Sequence, residues 1–271
     1  MITIPAVRSF GRRLFRSPWR DILEYALLLV FVFALVAISS QRLGYYWQWY
    51  RVPRYLFTVQ QGQLVPGELI QGLLYTFRIA GVSLVLSLII GLSAALLRLS
   101  QSLMGTALAR IYLEVIRNTP LVVQIYLLYF VIGPILGLGR FASAVLALSL
   151  FEGSYMSEIL RAGIVSLHHG QWEAAYSLGL STFDTYRDVI LPQAVRRILP
   201  PLTGEVVSLV KNTSLVSLVA LNDLSMQARV VSADTFLTFE IWFTTALIYL
   251  AILVPLSLFA RWVERRVAIP S

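Results

Sequence analysis

Apolar stretches long enough to cross a lipid bilayer recur along this chain, and they limit its possible folds more than any other feature. Hydrophobic residues occupy 58% of the 271 positions and charged residues only 13%, whereas a soluble domain carries about 25% charged residues. One water-soluble core cannot bury that much apolar surface. Because the sequence has no cysteine, disulfides and cysteine-based metal or redox sites are excluded within it. The composition predicts an all-α, polytopic membrane protein.

Six segments approach the length that a membrane-spanning helix needs. A bilayer core about 30 Å thick requires about 20 apolar residues in a helix. The candidate spans are 22–39, 68–97, 109–132, 141–164, 194–219 and 240–259. Polar residues from Arg117 to Pro120 interrupt the third span, and Pro200 and Pro201 lie within the fifth. About six transmembrane helices are therefore expected.

The distribution of arginine predicts the orientation of these spans. If both termini are cytoplasmic, most arginines fall on the inner side, as the positive-inside rule requires. The net charge of +8 is then explained by topology, and nucleic-acid binding is not expected. The predicted parts are a cytoplasmic tail (1–21), a transmembrane helix with an outer aromatic-rich segment (22–67), a transmembrane domain (68–266) with a cytoplasmic loop (165–193), and a C-terminal tail (267–271).

The first apolar stretch and the aromatic segment after it each allow two interpretations. Arg12 and Arg13 precede the stretch, as in secretory or twin-arginine signals. No small-residue cleavage site follows it, so we expect a retained membrane anchor. The aromatic residues of 41–67, such as Trp47 and Trp49, suit the membrane–water interface. An interfacial belt is expected there, and the alternative is a ligand-binding cage.

No motif for enzymatic or cofactor chemistry is found in the spans. The only lysine, Lys211, does not follow glycine, so it is not part of a G-x-x-x-x-G-K-[ST] phosphate-binding loop. Any ATP hydrolysis is therefore expected on another polypeptide. The spans contain no G-x-S-x-G or H-E-x-x-H motif, so no catalytic residue is expected. Adjacent His168 and His169 lack an acidic partner at metal-ligand spacing, so no metal site is expected.

The polar segment between the fourth and fifth spans predicts a short helix followed by a change of direction. The helix is expected over 173–180, with the small residues Ala174 and Ala175 exposed so that another protein can approach closely. Gly179 can end it, because glycine tolerates the left-handed geometry of a helix terminus. Pro192 then starts the chain in a new direction. This pattern is typical of a protein-binding loop.

The same segment resembles the EAA loop of ABC importer permeases. That pattern is E-A-A, three residues, G, nine residues, a β-branched residue, one residue, and L-P. Its residues in this sequence are Glu173, Ala174, Ala175, Gly179, Val189, Leu191 and Pro192. The family usually has isoleucine in place of Val189. The segments R-N-T-P-L from Arg117, Q-W-E-A-A from Gln171 and K-N-T-S-L from Lys211 are similar to those of permeases for polar amino acids.

This resemblance covers about 68–266 and implies a fold, partners and a function. The implied fold is a five-helix type I permease core plus one N-terminal helix, in the bacterial cytoplasmic membrane. The implied partners are two ABC ATPase subunits holding ATP and magnesium, a second permease that is identical or paralogous, and an extracytoplasmic amino-acid-binding protein. The implied function is import of polar amino acids by alternating access. The alternatives are another small solute, such as methionine or an osmoprotectant, and a membrane protein that is not a transporter.

Charged and polar groups inside the spans are candidates for the substrate pathway, because charge at mid-bilayer costs about 2.5–3.5 kcal/mol. Glu205 follows Pro200 and Pro201, and interrupted helices often border binding sites. It is expected either to attract the cationic group of an amino acid or only to satisfy the broken helix or a dimer seam. The other candidates are Arg117, Asn118, Thr119, Lys211, Asn212, Thr213 and Ser214.

For these other candidates a structural role is the alternative. Arg117 has Glu114 at i−3 and can form an ion pair with it. The polar residues 211–214 either mark an outer gate or cap the fifth helix. Glu158 and Arg161 have the same i, i+3 spacing, and an ion pair within their helix is expected.

Overall fold

The computed structural model describes residues 22–31, 34 and 44–267, which fall into two units divided between Gln48 and Trp49. In the first unit, the described part of the first predicted span is an apolar helix, α1 (Ile22–Phe31). Tyr45 lies edge-on to Trp47, with ring centroids 5.3 Å apart. The tail 1–21, most of 32–43 and the last four residues lie outside the described residues.

The second unit consists mostly of helices. In chain order they are α2 (Pro53–Leu56), α3 (Glu68–Leu99), α4 (Leu103–Arg117), α5 (Leu121–Tyr126), α6 (Gly133–Leu136), α7 (Arg140–Val165), α8 (His169–Ser177), α9 (Thr182–Asp184), α10 (Leu191–Asn212), α11 (Leu224–Thr235) and α12 (Thr238–Val267). The π-helical turns Leu127–Ile132 and Thr185–Ile190 join α5 to α6 and α9 to α10, and a 3-10 helix, Thr213–Val219, extends α10.

Two of these helices, α3 and α12, are long and apolar enough to cross a membrane. Two further pairs of helical segments, Leu103–Arg117 with Leu121–Leu136 and Thr182–Val219 with Leu224–Thr235, are bent. If each bent pair is counted as one crossing, the described residues contain four crossings. The second and sixth predicted spans are thereby confirmed as long apolar helices. The number of six transmembrane helices stays a prediction.

A β-hairpin precedes α3 and was not predicted. Strand β1 (Phe57–Gln60) pairs antiparallel with β2 (Gln63–Pro66). Between them Gln61 and Gly62 have φ angles of 52° and 78°. A two-residue type I′ turn requires such left-handed geometry at both positions. The glycine at the second turn position is the sequence signal for this hairpin.

Small residues on α7 allow it to pack closely along α3. Ala144, Ala147 and Gly153 are among its buried positions. A Cβ atom added to Gly91 of α3 would lie 2.9 Å from the carbonyl oxygen of Gly153. Small side chains let helix backbones approach this closely. Because protein surrounds much of α7, this helix can carry polar groups that lipid would exclude.

The third predicted span is not a straight helix. The axis of α4 is turned by 105° from that of the segment Leu121–Leu136, which contains α5 and α6. Asn118 Nδ2 donates to the backbone carbonyl oxygen of Glu114 at 2.8 Å. Pro120 follows, and a proline disfavours helical geometry at the residue before it. The third predicted span is therefore broken at the polar residues that interrupt it in the sequence, because local hydrogen bonds and proline end α4 and a second helical segment, Leu121–Leu136, follows.

Helix α11 was not predicted either. It follows the 3-10 extension of α10 at a bend of 48°. The carboxylate of Asp223 caps its N-terminus by accepting hydrogen bonds from the amides of Ser225 and Met226 at 3.1 and 3.0 Å. It packs against α3 and α12. This tertiary packing stabilises a segment that is too short and too polar to be recognised as a span.

We expect Gly163→Ala to destabilise the contact between α7 and α10. A Cβ atom on Gly163 would lie 2.2 Å from Cγ1 of Ile198, and such overpacking costs about 1–3 kcal/mol. The melting temperature of the detergent-purified chain should fall. Ile198→Ala removes Cγ1, so it should cost less in the Gly163→Ala background than in the unchanged chain.

Gly204→Ala is the matched control for this substitution. A Cβ atom on Gly204 of α10 meets nothing within 4 Å, and alanine is favoured over glycine inside a helix. Its melting temperature should be unchanged or higher. Equal melting temperatures for the two alanine variants would contradict the steric argument.

Candidate functional site

The segment between α7 and α10 contains the predicted short helix and its glycine terminus. The helix is α8, which starts four residues earlier than expected, at His169. Gly179 has a φ angle of 78°, and the amide of Leu180 donates to the carbonyl oxygen of Ala175 at 3.2 Å. This is the left-handed helix end that glycine favours. The expected helix and its terminus are confirmed.

The surface of this loop carries exposed apolar side chains. Glu173 and Ala174 are exposed, but Ala175 is only 2% exposed. The prediction that both alanines are exposed is wrong for Ala175, because neighbouring helix positions point in different directions. Leu178 and Phe183, which the sequence reasoning missed, are 81% and 70% exposed. We call Ala174, Tyr176, Leu178 and Phe183 the apolar patch of the loop.

Side-chain contacts anchor the loop to both helices that flank it. The guanidinium of Arg197 on α10 donates to the backbone carbonyl oxygen of Ser166, which follows α7, and to its hydroxyl at 3.0 Å. Gln193 Nε2 donates to Oε1 of Gln171 on α8 at 3.0 Å. These contacts connect α10 both to the end of α7 and to α8.

The remaining predicted loop residues lie where α10 begins. Leu191 and Pro192 are both exposed and directly follow the π-helical turn Thr185–Ile190. The prediction that Pro192 starts the chain in a new direction is wrong, because one helix continues through it from Thr182 to Val219. Within the same loop, the ring of Trp172 on α8 lies edge-on to that of Tyr186 in the π-helical turn, with centroids 4.9 Å apart. The loop thus has an aromatic base and an apolar outer surface.

Glu158 on α7 gathers arginine side chains from three helices. Its carboxylate lies 2.5 Å from Nη1 of Arg98 on α3, 2.7 Å from Nη2 of Arg161 on α7 and 3.7 Å from Nη1 of Arg117 on α4. The expected pair between Glu158 and Arg161 is confirmed. The cluster ties the ends of α3, α4 and α7 together.

The alternative ion pair between Arg117 and Glu114 is not formed. The Glu114 carboxylate accepts a hydrogen bond from Asn118 at 2.9 Å, and the Arg117 guanidinium turns to Glu158 and lies 5.3 Å from the ring centroid of Tyr155. Thr119 donates its hydroxyl to a backbone carbonyl oxygen of α4. These three predicted pathway residues therefore lie together at the bend after α4.

A second group of polar side chains joins α7 to α10. Glu152 is only 1% exposed, and its carboxylate accepts a hydrogen bond from Nδ2 of Asn212 at 2.8 Å. The carboxyl group of Glu205 lies near that of Glu152. Glu152 was not selected from the sequence, although a carboxylate in a mostly apolar span was a usable signal. It connects two residues that were selected.

One side of α10 presents small and polar groups along its whole length. Its members, at helical spacing, are Arg197, Pro201, Gly204, Ser208 and Lys211, all exposed or half-buried. Glu205 is half-buried beside this strip. Contact of these charged and polar groups with lipid tails is energetically unfavourable. The strip suits water or another polar surface.

Two of the predicted residues at the end of α10 hydrogen-bond to the backbone through their side chains. Thr213 is fully buried, and its hydroxyl donates to the carbonyl oxygen of Val210 at 2.7 Å. The hydroxyl of Ser214 donates to the carbonyl oxygen of Lys211 at 2.8 Å. Both bonds lie where the α-helix becomes a 3-10 helix.

The chain is similar to transport proteins of known family. Residues 87–269 match the family described as binding-protein-dependent transport system inner membrane component. The glutamine transport system permease protein GlnP of Escherichia coli (strain K12) is 38% identical over 204 residues, covering 74% of this chain and 93% of that protein. The probable glutamine ABC transporter permease protein GlnP of Bacillus subtilis (strain 168) is 39% identical, covering 72% and 91%.

Solved structures agree with this grouping. A crystal structure of an amino acid ABC transporter with histidines matches with a TM-score of 0.69 at 35% identity, covering 73% of this chain and 94% of that one. An inward-facing structure of the MetNI methionine ABC transporter has a TM-score of 0.62 at 17% identity, covering 74% and 96%, and shows the fold alone. This chain belongs to the family of binding-protein-dependent transport system inner membrane components.

Proposed function

We propose that this inner-membrane component is the permease subunit of an ATP-driven importer of polar amino acids. Two separate ATPase subunits, which hold ATP and magnesium, dock on the apolar patch and on the residues Glu173, Ala174, Gly179, Leu191 and Pro192. The second permease is an identical copy or a paralogue, and an extracytoplasmic binding protein delivers the amino acid. The observation that carries the proposal is an exposed apolar patch on a loop anchored to two long helices.

The proposed orientation places this loop in the cytoplasm, with both termini and six crossings as the sequence predicts. Arg98 near the end of α3 and Glu158 of α7 are in contact, so these helix ends lie on one side of the bundle. The loop follows α7 directly. Arginine gathered at this side agrees with the positive-inside rule.

The proposed pathway runs along the polar strip of α10, next to Glu205 and Glu152. Carboxyl groups recognise the ammonium group that every amino acid carries. Arg117, Asn118 and Thr119 at the α4 bend and the residues 211–214 at the end of α10 are candidates to border this pathway on its two sides. The relatives named as glutamine permeases favour polar amino acids as cargo. Methionine or an osmoprotectant is the alternative cargo.

Reconstituted transport tests this proposal. The chain is placed in proteoliposomes with an ABC ATPase and an amino-acid-binding protein from the same organism, and uptake of a panel of labelled amino acids is measured with and without ATP. We expect ATP-dependent uptake of a polar amino acid such as glutamine, histidine or arginine. Uptake of methionine or an osmoprotectant alone would contradict the proposal that the substrate is a polar amino acid. Failure to assemble with any ATPase would contradict the proposal that the chain is a subunit of an ATP-driven importer.

A further inference from the structure

Helix α4 has three distinct faces. Gly105, Ala109 and Leu113 are buried, and this face packs against α3. A second face carries large apolar side chains at helical spacing, each more than half exposed: Met104, Leu108, Ile111 and Val115. We call these four residues the apolar stripe of α4. The third face carries Arg110, Glu114 and Arg117.

The charged face of α4 borders a polar cavity between α3, α4 and α7. This cavity has a volume of about 310 Å³, and its lining includes Arg98, Arg110, Arg117, Glu114 and Glu158. The arginine side chains that line the cavity outnumber the two carboxylates, Glu114 and Glu158. Arg161 adds a further positive charge, 2.7 Å from the carboxylate of Glu158. The cavity therefore carries a surplus of positive charge.

Arg110 has no counter-ion within the structure. Three arginines share the carboxylate of Glu158, and that of Glu114 accepts a hydrogen bond from Asn118. Among residues 22–31, 34 and 44–267, none forms an ion pair or hydrogen bond with the Arg110 guanidinium. A guanidinium beside a cavity with surplus positive charge suits an anion with several oxygen acceptors, such as a phosphate group.

The direction of α4 indicates where this anion comes from. The turn of 105° between α4 and the segment Leu121–Leu136 places α4 steeply across the direction of the following helix. An amphipathic helix in this position lies in the membrane interface with its apolar face towards the acyl chains. The apolar stripe adjoins the charged face on the same helix. One ligand with a phosphate head and acyl tails matches both faces.

We propose that the cavity binds the phosphate group of an anionic phospholipid whose acyl chains lie along the apolar stripe of α4. Basic pockets between transmembrane helices on the cytoplasmic side are suited to such head groups. The proposal rests on the orientation given under the proposed function, which places this cavity at the cytoplasmic leaflet. The bound lipid bridges α3, α4 and α7 at the bend after α4.

Native mass spectrometry of the full-length chain in detergent tests this site. Phosphatidylglycerol, phosphatidylethanolamine and inorganic phosphate are added in separate titrations. We expect selective adducts with phosphatidylglycerol, and about five-fold weaker binding in the variant Arg110→Gln. Arg140→Gln is the matched control, because Arg140 lies at the opposite end of α7, and it should leave binding unchanged. Since Arg110 forms no ion pair with the described residues, its loss should leave folding intact.

A variant on the apolar stripe separates a lipid from a free anion. Leu108→Asn should weaken phosphatidylglycerol binding, because it places a polar group against the acyl chains. Equal binding of both lipids, unchanged binding in Arg110→Gln, or phosphate adducts without lipid adducts would each overturn the proposal. The measurement needs neither an ATPase nor an amino acid, so its result is independent of the transport assay.

Discussion

Leu178→Asp is expected to abolish both ATPase association and ATP-driven uptake while the chain stays folded. Leu178 is 81% exposed beside the left-handed end of α8, so no packing within the chain depends on it. In the proposed complex it is covered by the ATPase. A carboxylate buried there without a partner, together with the lost apolar contact, costs about 3 kcal/mol or more. That corresponds to on the order of a hundred-fold weaker association.

Co-purification on an affinity-tagged ATPase measures this effect, and uptake in proteoliposomes measures its consequence. Leu64→Asp is the matched control, because Leu64 is 69% exposed but lies on the hairpin before α3. The control should retain the ATPase at the level of the unchanged chain. If Leu178→Asp also retains it, the apolar patch is not the docking surface.

Glu205→Gln should lower uptake by about ten-fold or more without weakening ATPase association. Glu205 lies beside the polar strip of α10, near the carboxyl group of Glu152. A charge pair about 4 Å apart near a protein surface is worth up to about 4 kcal/mol, and a glutamine amide offers an ammonium group only a neutral acceptor. The initial rate of ATP-dependent uptake, measured at several substrate concentrations, checks this.

Glu264→Gln on the exposed end of α12 is the control for this charge change, and it should transport normally. Size-exclusion chromatography of the assembled complex distinguishes the two roles considered for Glu205. Loss of the complex together with uptake would assign Glu205 to the seam between permeases. An intact complex with normal uptake would leave Glu205 as a residue that only satisfies the interrupted helix.

Features encoded by neighbouring residues were predictable from the sequence. Helices α3 and α12 follow from continuous apolar composition, and the end of α8 follows from Gly179. The interruption of the third span was visible in the polar residues 117–120, but the bend of 105° was not, because it depends on the side-chain hydrogen bonds of Asn118 that end α4. Helix α11 was missed because its stability comes from packing on α3 and α12.

Contacts between distant positions were not predictable in this way. A pair between Arg117 and its neighbour Glu114 was an alternative that the sequence offered, but Arg117 reaches Glu158 on α7. The hydrogen bond between Glu152 and Asn212 joins positions 60 residues apart. No local pattern specifies which of several charged groups meet once helices pack. Helix α8 and its glycine end were therefore recognisable from the sequence, and the arrangement around Glu205 was not.

The anchoring of α8 to both α7 and α10 constrains how the proposed importer can move. Gln193 ties α8 to α10, Arg197 ties Ser166 at the end of α7 to α10, and Gly163 lets α7 and α10 meet closely. We therefore expect α7, α8 and α10 to move together in the proposed importer. Glu152 on α7 and Glu205 on α10 are then expected to keep their separation as the importer opens and closes. Opening to either side of the membrane is then expected to arise from movement of α7, α8 and α10 as a group relative to the helices packed against them.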